Sequence, residues 1–171
     1  MEAIRGYLIK AKFPSRIANT IANAVDEIVM NSIYTAPIDD LGNRPLDLTP
    51  RDTDFELNDK NQVEVTVAFD DGLVGVSSTD LFGSLDKSKL VQHLASVYFD
   101  DDYKIKANTA SAGIGLNNTF KGGGSLIFIC EKGLQTEVGV IFERKDNYRE
   151  FKKQFRFLCT QFYYPSEDGG L

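Results

Sequence analysis

Histidine occurs once in the 171 residues, as His93, and cysteine twice, as Cys130 and Cys159. A single histidine excludes a multi-histidine zinc centre, and a serine–histidine–acid triad would have to be built on His93 itself. That residue lies in Leu90-Val91-Gln92-His93-Leu94, a helical stretch with no serine-rich elbow beside it, and reads as structural or surface. The cysteines follow Ile129 and Leu158 in apolar or aromatic surroundings and are expected as reduced core thiols. No apolar run nears the roughly 18–20 residues that cross a bilayer. Met1-Glu2-Ala3-Ile4-Arg5 lacks the apolar stretch and small-residue cleavage site of a secretory leader. A cytoplasmic protein without membrane contact is the expectation. Basic residues are in deficit, with 19 Lys and Arg against 25 Asp and Glu and a net charge of −6. An acidic surface without a Lys/Arg tract repels phosphate backbones and argues against nucleic acid as a partner.

What is present suits an ordinary globular chain: 42% apolar and 26% charged residues. Without an internal repeat or linker, residues 1–164 read as one domain, and Pro165 to Leu171 as a disordered tail. A helix is predicted from about Ser15, as N-cap, to Tyr34. Ile17, Ile21, Ala24, Val25, Ile28, Val29 and Ser32 recur on it at helical spacing. Asn19, Asn23, Glu27 and Asn31 form a second row at steps of four. Residues Ile38 to Asn61 carry no sustained period and read as a long, functional or mobile insertion. Val63, Val65, Val67 and Phe69 alternate as a strand, Asp70-Asp71-Gly72 turns, and Leu73 to Val76 returns as its partner. A polar stretch, Ser77 to Ser84, precedes a helix over Asp86 to Phe99. Ser111 to Leu116 reads as a glycine-containing turn, with Asn117 to Phe120 opening a short helix. Leu126–Cys130 and Thr136–Phe142 pair across Lys132-Gly133, Tyr148 to Lys153 is a helical turn or two, and Arg156 to Tyr164 alternates as a last strand. For the aromatic run Phe155 to Tyr164, a buried edge strand and a partner surface both stay open. Helices segregated against a mostly antiparallel sheet give an α+β two-layer sandwich.

Three polar features sit at the edges of these elements. They are Glu27-x-x-x-Asn31 within a helix, Asp80-x-x-Gly83 after a strand, and Gly113-x-Gly115 before a helix. The dinucleotide fingerprint is excluded, because Asn118 stands where a third glycine belongs and no buried parallel strand precedes the pair. In this order the three features resemble the GHKL superfamily, the ATPase domains of DNA gyrase, a heat-shock chaperone, histidine kinases and mismatch-repair proteins. Asp26-Glu27-Ile28-Val29-Met30-Asn31-Ser32 is similar to its N box, Ser78-Thr79-Asp80-Leu81-Phe82-Gly83 to its G1 box, and Ala112-Gly113-Ile114-Gly115-Leu116 to its G2 box. Thr136 falls where the family has a strand threonine near adenine.

The resemblance implies a Bergerat-type ATP-binding fold with ATP and Mg²⁺ as cofactors. Asn31 would be the metal ligand, a neutral oxygen for a hard cation. Glu27 would be the catalytic residue, orienting or deprotonating a water or hydroxyl. Asp80 would accept from the exocyclic amine of adenine. Gly83, Gly113, Ile114, Gly115, Leu116 and Thr136 would complete the nucleotide site, glycine backbone giving close approach to phosphates. Residues Ser84 to Ala112 would form a lid. The length leaves no room for a transducer domain, and His93 lacks the helical-hairpin setting of a phosphoacceptor. The likeness is therefore to stand-alone anti-sigma-factor serine kinases.

Three functions follow from this reading. One is a regulatory kinase passing phosphate to a protein partner, which would be a sigma factor, an anti-anti-sigma factor or a response-regulator-like protein, with a homodimer as a further expectation. The second is a nucleotide-gated interaction module with little or no catalysis. It is favoured by the single glycine at Asp80-x-x-Gly83 and by Tyr34-Thr35 where histidine kinases often have a basic residue. The third is a structural or scaffolding α+β domain without a nucleotide site.

Overall fold

In the computed structural model, residues 2–50, 53–54, 56–99 and 112–165 are described. The chain runs α1 (Glu2–Lys10), α2 (Ser15–Met30), a π-helical turn (Asn31–Thr35), a 3₁₀ turn (Asp59–Asn61), β1 (Glu64–Phe69) and β2 (Leu73–Asp80). It continues with α3 (Lys87–Phe99), α4 (Ala112–Lys121), β3 (Ser125–Glu131), β4 (Gln135–Glu143), α5 (Tyr148–Lys153) and β5 (Leu158–Tyr163). The five strands form one mixed sheet in the order β1-β2-β4-β3-β5. All neighbours are antiparallel except β3 and β5. The α+β expectation holds.

The central helix forms for the reason its spacing implies. Ile17, Ala18, Ile21, Ala22, Ala24, Val25 and Ile28 are buried along one stripe of α2. They meet Val74 and Val76 of β2, Leu126 and Phe128 of β3, and Val140 and Phe142 of β4, which alternate onto the same sheet face. The other face, bearing Gly75, Ser77, Gly139 and Ile127, is half-buried.

Local readings are corrected at several points. Pro14, not Ser15, is the N-cap of α2, with no side-chain cap. Its carbonyl accepts the first helical bond, from Ala18 N–H at 2.9 Å. The helix ends its α-form at Met30 and widens into the π turn, where the Ala36 N–H reaches back to the Asn31 carbonyl at 3.0 Å. Helix α1 was not expected; Leu8 buries it, and Arg5 donates to Asn19 at 2.6 Å. Strand β2 passes Val76 and runs to Asp80, because Ser77 to Asp80 pair with β4, and Ser77 to Thr79 with β1 as well. Cys130 is a free core thiol, whereas Cys159, also free, is only half-buried. Strand β5 is an edge strand whose Tyr163, like Tyr164 after it, is exposed rather than buried. Residues 100–111 of the expected lid and 166–171 of the expected tail lie outside the described residues, as does the side chain of His93. Among the described residues, no helix is long and apolar enough to cross a membrane.

The α2 stripe on the sheet generates a direct test. Ile21 is fully buried, so Ile21→Ala should cost about 2–5 kcal/mol in urea unfolding. Val65→Ala, at a position already exposed on β1, should cost well under that.

Candidate functional site

Where the end of α2, the end of β2, the start of β4 and the flank of α4 meet, a cavity of about 120 Å³ opens. Its walls are largely apolar, built from Ile28, Leu85, Leu116 and Val138, and its polar groups include Asn31, Arg44, Asp80 and Thr136. Four residues expected at a site, Asn31, Asp80, Leu116 and Thr136, thus come from distant parts of the chain to one place.

The strand register explains the first pair. Asp80 and Thr136 are direct partners across β2 and β4, both on the helix-covered face. Asp80 is 3% exposed. A carboxylate that deep resists ionisation, and burial pushes its pKa up to about 6. The backbone N–H groups of Phe82 and Gly83 and the charge of Arg44 pull it back down. The Phe82 N–H donates to Asp80 Oδ1 at 3.0 Å. Gly83 makes this turn possible: its φ is +54°, and a Cβ there would overlap the Glu131 carbonyl and approach the Gly133 nitrogen to 2.6 Å. The Gly83 carbonyl accepts from the Gly133 N–H at 3.1 Å, so this glycine abuts the β3–β4 hairpin and does not line the cavity.

On the helix side, Asn31 Nδ2 donates to Glu27 Oε1 at 3.3 Å. Asn31 Oδ1 is buried and has no hydrogen-bond partner. An unpaired buried acceptor costs about 1–3 kcal/mol, and an oxygen ligand to a cation is one arrangement that removes the cost. Glu27 stands beside the cavity rather than on its wall. Gly115 lies directly against it, and a Cβ there would overlap the Glu27 carboxyl. The glycine pair therefore sits inside the first turns of α4, not in a preceding loop, and Gly115 lets the two helices close. Gly113 and Ile114 belong to the first turn of α4, and their surroundings lie outside the described part.

Arg44 is the site residue that sequence reasoning missed. It comes from the 38–61 insertion, donates to the Thr35 carbonyl, and reaches the Ser84 carbonyl at 3.1 Å and its hydroxyl at 3.4 Å. Ser84 in turn donates to the Ala36 carbonyl at 2.6 Å. The signal was the turn-forming run Asp39 to Asn43 followed by Arg44-Pro45.

A larger hollow, about 420 Å³, lies on the uncovered sheet face among Glu64, Thr79, Glu131 and Glu137. It gathers none of the expected site residues, and the smaller cavity, lined by the buried Ile28, Asp80 and Thr136, is the chemical candidate. Among the described residues, no group of three or more His, Cys, Asp or Glu is placed to hold a metal, so a cation here would rest on Asn31 together with a ligand's own oxygens. Comparison with protein-family models, curated proteins and solved structures finds no match to this chain.

The raised pKa of Asp80 fixes the sign of a pH effect. Between about pH 4 and 6 the native carboxyl keeps a proton that the unfolded chain has released. Stability therefore falls as pH rises through that window. Asp80→Asn removes the titration. Between pH 4 and 7 the variant should gain up to about 3 kcal/mol relative to wild type in urea unfolding. Parallel pH profiles would contradict the assignment.

Proposed function

We propose that this cavity is an adenine-nucleotide site, and that the chain is an ATP- and Mg²⁺-dependent regulatory protein kinase of the histidine kinase-like, GHKL type. The observation that carries the reading is the convergence of Asn31, Asp80, Leu116 and Thr136 on one cavity. These residues are implied by the resemblance and lie far apart in sequence.

The chemistry of each group suits the role. Asp80, when ionised, accepts from the exocyclic amine of adenine; guanine would turn a carbonyl toward it, acceptor against acceptor. Ile28, Leu116 and Val138 offer apolar surface to a planar ring. The hydroxyl of Thr136 is buried beside Asp80 and supplies a second polar contact. Asn31 fits a magnesium ion through its unpartnered, buried Oδ1, while Glu27 holds the amide by its Nδ2. Mg²⁺, when bound, would offset the charge of the nucleotide phosphates. Glu27 is then the group that orients or deprotonates the hydroxyl of a protein substrate. A sigma factor, an anti-anti-sigma factor or a response-regulator-like protein is the partner class. A cytoplasmic protein, acting as a monomer or a homodimer, completes the proposal.

A second reading, a nucleotide-gated interaction module with slow or no transfer, is favoured by two observations. Gly83 packs on the hairpin instead of lining the cavity. The cavity itself, about 120 Å³, is smaller than the roughly 300–1,000 Å³ usual for ligand sites.

Calorimetry with ATP, with and without Mg²⁺, tests the site. Wild type should bind, and Asn31→Ala should lose the Mg²⁺-dependent part of the affinity. With labelled ATP and a candidate partner, Glu27→Gln, which keeps an oxygen to accept from Asn31 Nδ2, should bind normally but transfer at least about 100-fold more slowly, the size of a general-base contribution. Transfer at the wild-type rate by Glu27→Gln would remove the assigned base. Binding by wild type without transfer to any partner would favour the second reading, and absence of binding would end both.

A further inference from the structure

The 38–61 insertion looks shapeless in sequence, yet its first turn is built to deliver one side chain. Asp39 Oδ1 accepts from the N–H groups of Leu41 at 2.9 Å and Asn43 at 2.8 Å. Its Oδ2 accepts from the Asn43 amide at 2.9 Å. Those bonds, led by the Asn43 side chain, hold the Asp39 carboxyl below its ordinary pKa. Gly42, at φ +81°, closes the loop. Arg44 follows at once, and Pro45 behind it biases Arg44 toward extended backbone. At the far end of the insertion, Lys60 Nζ lies 5.3 Å from the ring centre of Phe82, two residues past Asp80. The first turn of the insertion is thus docked on the cavity, and its far end on the turn that follows Asp80.

The acceptors that orient the Arg44 guanidinium are neutral: the Thr35 carbonyl and the carbonyl and hydroxyl of Ser84. They aim the fork without cancelling its charge, and no ion pair engages Arg44 among the described residues. Among the described residues that line the cavity it is also the only Lys or Arg. Among its described lining residues, a small, mostly apolar cavity therefore presents one buried acid, Asp80, and one cation, Arg44. A ligand bringing negative charge would be repelled by Asp80 unless that charge lay at the Arg44 side.

We propose that Arg44 is the anion-binding residue of this cavity, and that the ligand places a hydrogen-bond-donor edge at Asp80 and its negative charge at Arg44. The turn from Asp39 to Arg44 is then part of the binding site. This deepens the nucleotide reading and rests on it for the identity of the donor edge, while the anion contact stands on Arg44 alone.

Affinities of adenosine, ATP and inorganic pyrophosphate for wild type, Arg44→Gln and Arg44→Lys test it, with urea midpoints checking that each variant is folded. Measured well above the Asp80 pKa, so that Asp80 stays ionised without the Arg44 charge, Arg44→Gln should weaken ATP and pyrophosphate at least tenfold and leave adenosine within twofold. Arg44→Lys should recover part of the loss, since it restores charge without the fork. An equal loss for adenosine and ATP would make Arg44 a mere clamp on the cavity mouth. A gain in ATP affinity would make it a plug. Either result overturns the proposal. Pyrophosphate binding that depends on Arg44, without adenosine binding, would sustain the anion site and refute the nucleotide reading. Failure of wild type to bind any of the three refutes both.

Discussion

The site depends on keeping a carboxylate out of water at the end of a strand. Asp80 closes β2 on the face that α2 covers, where ionisation is opposed by burial and tolerated only through the N–H groups of Phe82 and Gly83 and the nearby Arg44. Much of the local architecture follows from that need. The turn after β2 folds back so that its amides reach the carboxylate, which requires the positive φ of Gly83. That turn abuts the β3–β4 hairpin, and the following Ser84 meets both Ala36 and Arg44. A buried acid is costly to a fold, and its partial satisfaction by backbone N–H groups and a cation leaves an acceptor suited to a donor from outside.

The helix side has a similar incompleteness. Asn31 stands where α2 gives way to a π turn, a distortion that often accompanies functional positions. Its amide is fixed by Glu27 while its oxygen is buried without a partner. Among the described residues, one acid, one amide oxygen and one cation, none fully compensated by the protein, border the same small space. In a chain of net charge −6, the placement of that cation matters more than its number, because it offsets the field locally.

The parts legible in the sequence were those with a strong local period. The stripe from Ile17 to Ile28 specified α2, and the alternation in Val63 to Phe69, Leu126 to Cys130 and Thr136 to Phe142 specified strands. Asn31, Asp80 and Thr136 were picked out by their motif context, and their shared cavity depends on a register no local pattern states: Asp80 opposite Thr136. The end of β2 was hidden because Ser77 to Asp80 are polar in composition, yet both Ser78 and Asp80 are buried. Ser78 is satisfied there by the Ser32 hydroxyl at 2.9 Å. Gly115 signalled a turn, but its use is to admit the Glu27 side chain between helices. Arg44 follows a legible turn, but its place at the site was hidden for a different reason: its partners, Thr35 and Ser84, are nine and forty residues away, and nothing periodic connects them.

The central claim is that an adenine ring occupies the space between α2, α4 and the β2–β4 ladder. The most direct measurement is a set of intermolecular nuclear Overhauser contacts from ATP and Mg²⁺ added to the isotopically labelled protein. The account predicts contacts from the adenine protons to the methyl groups of Leu116, Thr136 and Val138. Contacts confined to the uncovered sheet face, around Thr79 and Ile129, would contradict it.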